Sequence, residues 1–399
     1  MPSSIATSIL NLPRAKFKDM EYVNDTQRTQ FVRINVDADK RYKPRCSNCG
    51  RPAPINRNGF REARDSGAFG HIVYLRFEQR EVNCPNCGIR IEKLDFISPG
   101  ARATKRFEEQ VAYLCRYMTL SEVAAYFNLD WKTVKRIDKE YLLRTFEEIS
   151  LDGLTLIGFD EVARAKGHDY LTCVFDLRNN RLIRVLQGRK ESSVAKFYRE
   201  LGPERCQKIQ AIVMDMWGPF LNAARKYCPQ AKIVFDKFHV IANYHKVVDQ
   251  IRRTEFRRAE SQEKELIKGS RYLLLKNRSK LSEAKEERLL DILAANENLN
   301  ISYALKEQLQ TLWDSPTVPQ FNNAMDQWCQ LARESGIPQL AKFADSLERH
   351  RSGLWTYCLY PINTARLEAN NANIALLRRR AKGFRDTEYF ILKIHQVSA

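Results

Sequence analysis

The chain has 399 residues, enough for two to four domains and several hydrophobic cores. Its 66 Lys and Arg against 48 Asp and Glu leave a formal charge of +18, spread along most of the length. That excess makes nucleic acid the first partner to consider, with a merely soluble basic protein as the alternative on charge alone. No apolar run approaches the roughly 20 residues of a membrane span, and the opening MPSSIATSILNLPRAKF has neither a long apolar stretch nor a cleavage site, so the expectation is a soluble, cytoplasmic protein.

In chain order, FVRINV (31–36) and HIVYLRFEQREV (71–82) alternate apolar with polar and predict strands. They bracket CSNCG at 46 and lead to CPNCG at 84. Two such knuckles supply four thiolates, Cys46, Cys49, Cys84 and Cys87, the tetrahedral sulfur set that structural Zn²⁺ favours. A reduced or redox pair is the alternative, without the usual thioredoxin-like surroundings. Residues 1–100 thus predict a β-rich zinc-binding domain. The other six of the ten cysteines are single and read as buried thiols in a reducing compartment.

From Thr104 the periodicity turns helical, and residues 101–150 predict a helix-turn-helix DNA-binding domain. In LSEVAAYFNLDWKTVKRIDKEYL, Leu120, Val123, Ala124 and Phe127 form one apolar face, Asn128 suits a tight turn and Asp130 caps a second helix. Val134 and Ile137 then face the core, while Lys132, Thr133, Lys135 and Arg136 face outward as DNA-binding candidates. A plain helical hairpin with a solvated basic face is the other reading.

From Leu154 the strand signals return: LTLIGFD, DYLTCVFD, RLIRVLQG, a helix at SSVAKFYREL, KIQAIVMD, a helix at PFLNAARKY, and AKIVFD. This is an α/β layout. Past His239 the pattern is charged, amphipathic and without strands. The last stretch, NTARLEANNANIALLRRRAKGF, reads as one helix ending near Gly383. Asp160 and Asp215 each close an apolar run, and Glu368 opens the last helix with Asn371 one turn later on its face. A buried carboxylate needs a cation, and oxygens of this kind can hold two Mg²⁺ ions for a phosphodiester displacement, although an Asp after a strand often only starts a turn. Arg252 and Arg253 in IRRTEFRRAE, and Arg378 and Arg379 in LRRRAKGFR, lie in basic clusters that either neutralise DNA phosphates or are solvated helix faces. Trp217, beside Asp215, reads as core, and Trp313, Trp328 and Trp355 as packing.

The runs GFDEVARAKGHDYLTCVFDL, AIVMDMWGPFLNAARKYCPQAKIVFDKFH, IKGSRYLLLKN and LEANNANIALLRRRAKGFRDTEYFILKI together resemble the bacterial insertion-sequence transposases of the ISL-three family, over about residues 40–399. The resemblance implies a multidomain α/β protein: an RNase H-like catalytic domain (151–239), a helical insertion (240–361, from about Val240 to Pro361) and a last helix (362–399) carrying Glu368. It puts Asp160, Asp215 and Glu368 in the DDE positions as holders of two Mg²⁺ or Mn²⁺ ions. In DKFH it sets Asp236 and His239 beside the active site, against the plainer reading of a strand-end Asp and a packed His. The family often carries Ser or Asn followed by Gly before the last Glu, where this chain has INTARLE. The implied activity is metal-dependent strand cleavage and strand transfer on the element's terminal inverted repeats and target DNA, by a dimer or larger synaptic assembly in a bacterial cytoplasm at the nucleoid. A non-catalytic DNA-binding regulator and an RNase H-like nuclease acting on RNA or junctions are the other classes to separate by experiment.

Overall fold

The computed structural model describes residues 3–24, 30–68, 70–147, 149–165, 169–360 and 365–398. Two compact units divide the chain, Met1–Glu148 and Ile149–Ala399.

The first unit opens with α1 (Ser3–Leu10) and contains strands β1 (Ala15–Val23), β2 (Phe31–Ala38), β3 (Ile55–Arg57), β4 (Phe60–Ala68), β5 (His71–Glu78), β6 (Glu81–Cys84) and β7 (Gly88–Ile91). They make a four-stranded sheet of order β1-β2-β5-β4 and a three-stranded sheet of order β3-β6-β7. The alternation along β5 buries Val73, Leu75 and Phe77, the last two against Val36 and Ala63. The 71–82 run is two strands, one in each sheet, broken at Gln79 and Arg80.

Helices α2 (Lys105–Tyr117), α3 (Leu120–Phe127) and α4 (Trp131–Thr145) follow. Thr119 and Glu122 form a reciprocal capping box at the start of α3. Asn128 takes φ 52 at its end, and Asp130 caps α4 by accepting from the Lys132 N–H at 2.8 Å. Phe107, Val111, Val123, Phe127, Val134 and Ile137 fill the space between the three helices. Buried Asp65 on β4 accepts from Thr104 Oγ1 at 2.6 Å and pairs with Arg106, fastening α2 to the sheet.

In the second unit, β8 (Leu156–Ala165), β9 (Asp169–Asp176), β10 (Arg181–Gln187), β11 (Ala211–Met214) and β12 (Lys232–Phe235) form one sheet of order β10-β9-β8-β11-β12. β8, β9 and β10 are an antiparallel meander, while β11 and β12 run parallel to β8. Helices α5 (Glu191–Leu201), α6 (Pro203–Gln207) and α7 (Gly218–Tyr227) interleave with these strands. Phe159 meets Phe197 of α5 and Phe220 of α7 on one face of the sheet.

After β12 come eight α-helices, two short 3-10 turns and no strand up to residue 360: α8 (Lys237–Arg258), α9 (Ser261–Ile267), α10 (Arg271–Leu275), α11 (Glu283–Ala295), α12 (Glu297–Thr311), α13 (Val318–Glu334), α14 (Pro338–Arg349) and α15 (Arg351–Leu359). Their core is continuous with that of the sheet; Tyr244 of α8 packs on Trp328 and Phe343 at 5.5 and 5.1 Å between ring centroids. α15 returns to β12 so closely that a Cβ on Gly353 would stand 2.4 Å from the Phe235 ring. Helices α16 (Ala365–Arg380) and α17 (Thr387–Ser398) cover the other side of β8–β10, where Leu367, Ile374, Phe390 and Ile394 meet Val162, Leu171 and Phe175. The sequence reading ends its last helix near Gly383 and does not include α17. Residues 361–364, where that reading closes the insertion and where INTARLE departs from the family pattern, lie outside the described residues. Among the described residues no helix is long and apolar enough to cross a membrane.

Candidate active site

Asp160 lies in the middle of β8. Pairing with β11 stops at Gly158 while pairing with β9 continues through Asp160 opposite Cys173, so the β11 side of the strand is open at this residue. β11 ends at Met214, which brings Asp215 to the same level. The sequence reading, which has the strand close at Asp160, is corrected here: β8 runs on to Ala165 as half of a hairpin.

His239 joins the two carboxylates. It stands in the first turn of α8, whose N-cap is Asp236; the Asp236 side chain accepts from the Phe238 N–H at 2.9 Å. His239 Nδ1 is 2.9 Å from Asp215 Oδ1, and its Nε2 is 3.9 Å from Asp160 Oδ1, too long for a hydrogen bond. Burial opposes a charged ring, but the hydrogen bond and charge of Asp215, then Asp160 and Asp236, raise His239 to about 9. Burial pushes Asp160 up to about 7; His239 pulls it down, Asp215 adds to the rise, and hydrogen bonds from Asn371 and the Glu161 N–H favour the ion. Asn371 Nδ2 donates to Asp160 Oδ2 at 2.6 Å across 211 residues of chain.

Glu368 is exposed on α16, one turn before Asn371. Residues three apart on a helix are about 5–6 Å apart at Cβ, so the contact of Asn371 with Asp160 carries Glu368 to the neighbourhood of the pair. Asp160 is buried with no Lys or Arg bridging it among the described residues, Asp215 lies beside it, and Asn371 Oδ1 is buried without a hydrogen-bond partner; among the described residues only the four cysteines of the first unit come together as three or more His, Cys, Asp or Glu ligands. The oxygen donors of Asp160, Asp215 and Asn371 fit a hard divalent cation.

Glu161, next on β8, pairs with Arg189 at 3.2 Å; burial raises its carboxyl, Arg189 opposes this, and the charge of Asp215 adds to the rise. The Arg189 guanidinium lies 4.2 Å from the Tyr170 ring centroid and 4.6 Å from that of Trp217, and Trp217 Nε1 donates to the Arg189 carbonyl. Trp217 is 37 % exposed, so the expectation of a core tryptophan is corrected: its ring packs on a cation at the rim. Nothing in the sequence around Arg189 singles it out. Trp313 and Trp328 are buried as expected.

The predicted basic residues differ in their surroundings. Arg252 and Arg253 both bind buried Asp249, at 2.8 and 2.7 Å, and Arg271 adds a third cation at 3.7 Å. Arg378 bonds the Ala163 carbonyl and so ties α16 to β8, whereas Arg379 is exposed. On α4, Lys132 is exposed, Thr133 and Lys135 are half-buried, and Arg136 pairs with Glu140 at 3.0 Å.

In the first unit the sulfurs of Cys46, Cys49, Cys84 and Cys87 lie within 4.8 Å of one another, with Cys49 and Cys84 3.6 Å apart. Four thiolates about 2.3 Å from one tetrahedral ion would be about 3.8 Å apart, so the cluster has the size of a metal site. Backbone N–H groups of Cys49 and Asn48 draw the Cys46 thiol down to about 7, although desolvation opposes them.

A carboxylate pair at adjacent strand levels, an anchored helix beside it and a helix-turn-helix define an enzyme of the nucleic-acid-cleaving type. Residues 157–394 match the family model of a DDE transposase, and residues 92–142 that of the helix-turn-helix domain of transposase family ISL3. The chain is similar to the transposase for insertion sequence element IS1001 of Bordetella parapertussis, 34 % identical over 94 % of this chain and 93 % of that one. It is 28 % identical to the transposase for insertion sequence element IS1557 of Mycobacterium tuberculosis, over 87 % of this chain and 84 % of that protein. The chain therefore belongs to the ISL3 (ISL-three) family of insertion-sequence transposases.

Proposed function

We propose that this transposase cuts and rejoins DNA at the ends of its own element with Asp160, Asp215 and Glu368 as its DDE carboxylates, in an RNase H-like domain (151–239 with 362–399) interrupted by a helical insertion (240–361). The convergence of Asp160, Asp215, His239 and Asn371 carries the proposal. The three carboxylates would hold two Mg²⁺ or Mn²⁺ ions, which supply activation of the attacking oxygen and stabilisation of the leaving one. Asn371 fixes Asp160 Oδ2, while Oδ1 accepts from the Glu161 N–H at 2.7 Å and stands 3.9 Å from His239 Nε2. Asp236 sets the first turn of α8 and adds to the field that keeps His239 protonated, and the imidazolium balances the two aspartates and stands ready to pair with the scissile phosphate. Cleavage frees a 3′-hydroxyl, which then attacks target DNA.

Zn²⁺ on the four cysteines would hold the small sheet together, and α4 would read the terminal inverted repeats through Lys132, Thr133, Lys135 and Arg136. Arg252, Arg253, Arg378 and Arg379 would bind backbone phosphates; the pairing of the first two with Asp249 makes them the weaker candidates, since DNA must compete for them. Joining two element ends in one event calls for a dimer or larger assembly. The test is Mg²⁺-dependent cutting of duplexes bearing the element's terminal repeats, with Asp160→Ala alongside. Cutting at the boundary that the variant lacks supports the proposal. Tight specific binding without cutting by either protein points to a DNA-binding regulator.

A further inference from the structure

The first unit holds a groove of about 710 Å³ between β4 and α4. One wall is β4 with the 100–103 segment beside it, joined by hydrogen bonds from the Arg64 N–H to the Arg102 carbonyl and from the Thr104 N–H to the Arg64 carbonyl, both 2.9 Å. The other wall is the first turns of α4, where Thr133 and Arg136 stand three residues apart on one face. Four arginines line this space, Arg61, Arg64, Arg102 and Arg136; Arg136 also pairs with Glu140 at 3.0 Å and Arg61 bonds Gln79 at 2.7 Å and the Ala101 carbonyl, while the lining carboxylate, Glu62, accepts from Arg33 at 2.6 Å.

Arg64 is the most telling of them. It is 8 % exposed, lies 5.4 Å from the Tyr74 and Phe107 ring centroids, and donates from Nη2 to the Phe127 carbonyl at 3.3 Å. Its Nε is buried with no hydrogen-bond partner, and no carboxylate pairs with Arg64 among the described residues. Guanidinium does not shed its proton in a protein, so burial here maintains a positive charge without an anion, an arrangement that costs stability unless an anion arrives from outside. Arg102, at the rim, is exposed and likewise forms no ion pair among the described residues.

We propose that this groove holds backbone phosphates of the DNA duplex that α4 reads, so that the sheet and the helix grip the duplex together. The inference rests on the DNA-reading role given to α4 above. Phosphate contacts fix the position of a protein on DNA without reading its sequence, and a planar guanidinium fork suits a phosphate. Thr133 and Arg136 then belong to the backbone grip, and Lys132 and Lys135 remain for the bases.

The test uses the full chain, with Kd measured by fluorescence anisotropy against salt concentration on a duplex carrying the element's end and on an unrelated duplex. Arg102→Ala and Arg61→Ala are each expected to lower the slope of log Kd against log salt by about 0.9, the signature of one lost phosphate contact, on both duplexes alike. Arg64→Met keeps the apolar stem and removes the charge; it is expected to lower the slope in the same way while retaining or raising the melting temperature of the free protein. Slopes equal to wild type in all three variants, on a duplex that wild type binds, overturn the groove. Wild-type protein without salt-dependent binding overturns the DNA-reading role of α4, and the groove with it.

Discussion

Asp160→Asn should make the metal-free protein more stable and the enzyme inactive. Burial raises the Asp160 carboxyl from 3.8 to about 7, a difference of roughly 4 kcal/mol between its two protonation states. Because the folded value lies above the unfolded one, the stabilising contribution of Asp160 is fully present below pH 3.8 and is lost as pH rises through 7. An amide of the same shape does not ionise, and its oxygen can still accept from Asn371. The attraction of His239 is already contained in that value, but the Glu161 N–H, which donates to the other Asp160 oxygen at 2.7 Å, would then face the amide nitrogen, which offsets about half of the gain and leaves about 2 kcal/mol at pH 8. For a unit of this size that is about 4–8 °C in Tm. Differential scanning fluorimetry in EDTA should show the gain growing from about pH 4 to about 7 and levelling off above that, while cutting falls by about 100-fold or more. A Tm at or below wild type at pH 8, or a gain that does not change with pH, would refute the assignment of burial as the dominant effect on Asp160.

Gly353→Ala puts a methyl group 2.4 Å from the buried Phe235 ring and should cost about 1–3 kcal/mol, read as a lower urea midpoint; an unchanged midpoint removes the close approach of α15 to β12. Metal analysis should find one zinc per chain, lost in Cys84→Ser together with protease resistance of residues 45–92; equal zinc in both proteins counts against the four-sulfur site. Asn128→Val forces a β-branched residue into φ 52 and should lower stability by about 1–2 kcal/mol, whereas Asn128→Gly should be tolerated; equal melting temperatures for the two variants would contradict the turn.

Local patterns made much of this fold legible. The strands and helices from Leu154 to Phe235 follow period-2 and period-3.6 signals, and the α3–α4 turn follows from Asn128 and Asp130, because each rests on contacts within a few residues. Misreadings arose where distant contacts decide. Nothing near FILKIHQV reveals that Phe390 and Ile394 pack on the β8–β10 sheet, so α17 is not legible from local pattern. β1 was unseen because most of its residues are exposed, leaving no clean alternation. Spacing could put Asn371 on the face of Glu368, but its bond to Asp160 is a property of the tertiary fold alone. Arg252 and Arg253 read as a loose basic run, and only the fold shows Asp249 beneath them; Arg61, Arg64 and Arg102 are unremarkable until three chain segments bring them to one groove.

The Asn371–Asp160 bond also bears on the order in which a nascent chain gains its abilities. Translation completes residues 1–148 early, and they form a compact unit of their own, so that unit can fold while the ribosome is still far upstream of α16. Asp160 waits for a partner made 211 residues later. A messenger cut short or a ribosome halted before Ala365 yields a polypeptide with every residue of the helix-turn-helix unit and none of α16. Such fragments would occupy element ends without cutting them, and a premature stop codon in this gene would turn an active copy into a source of competitors for its own sites.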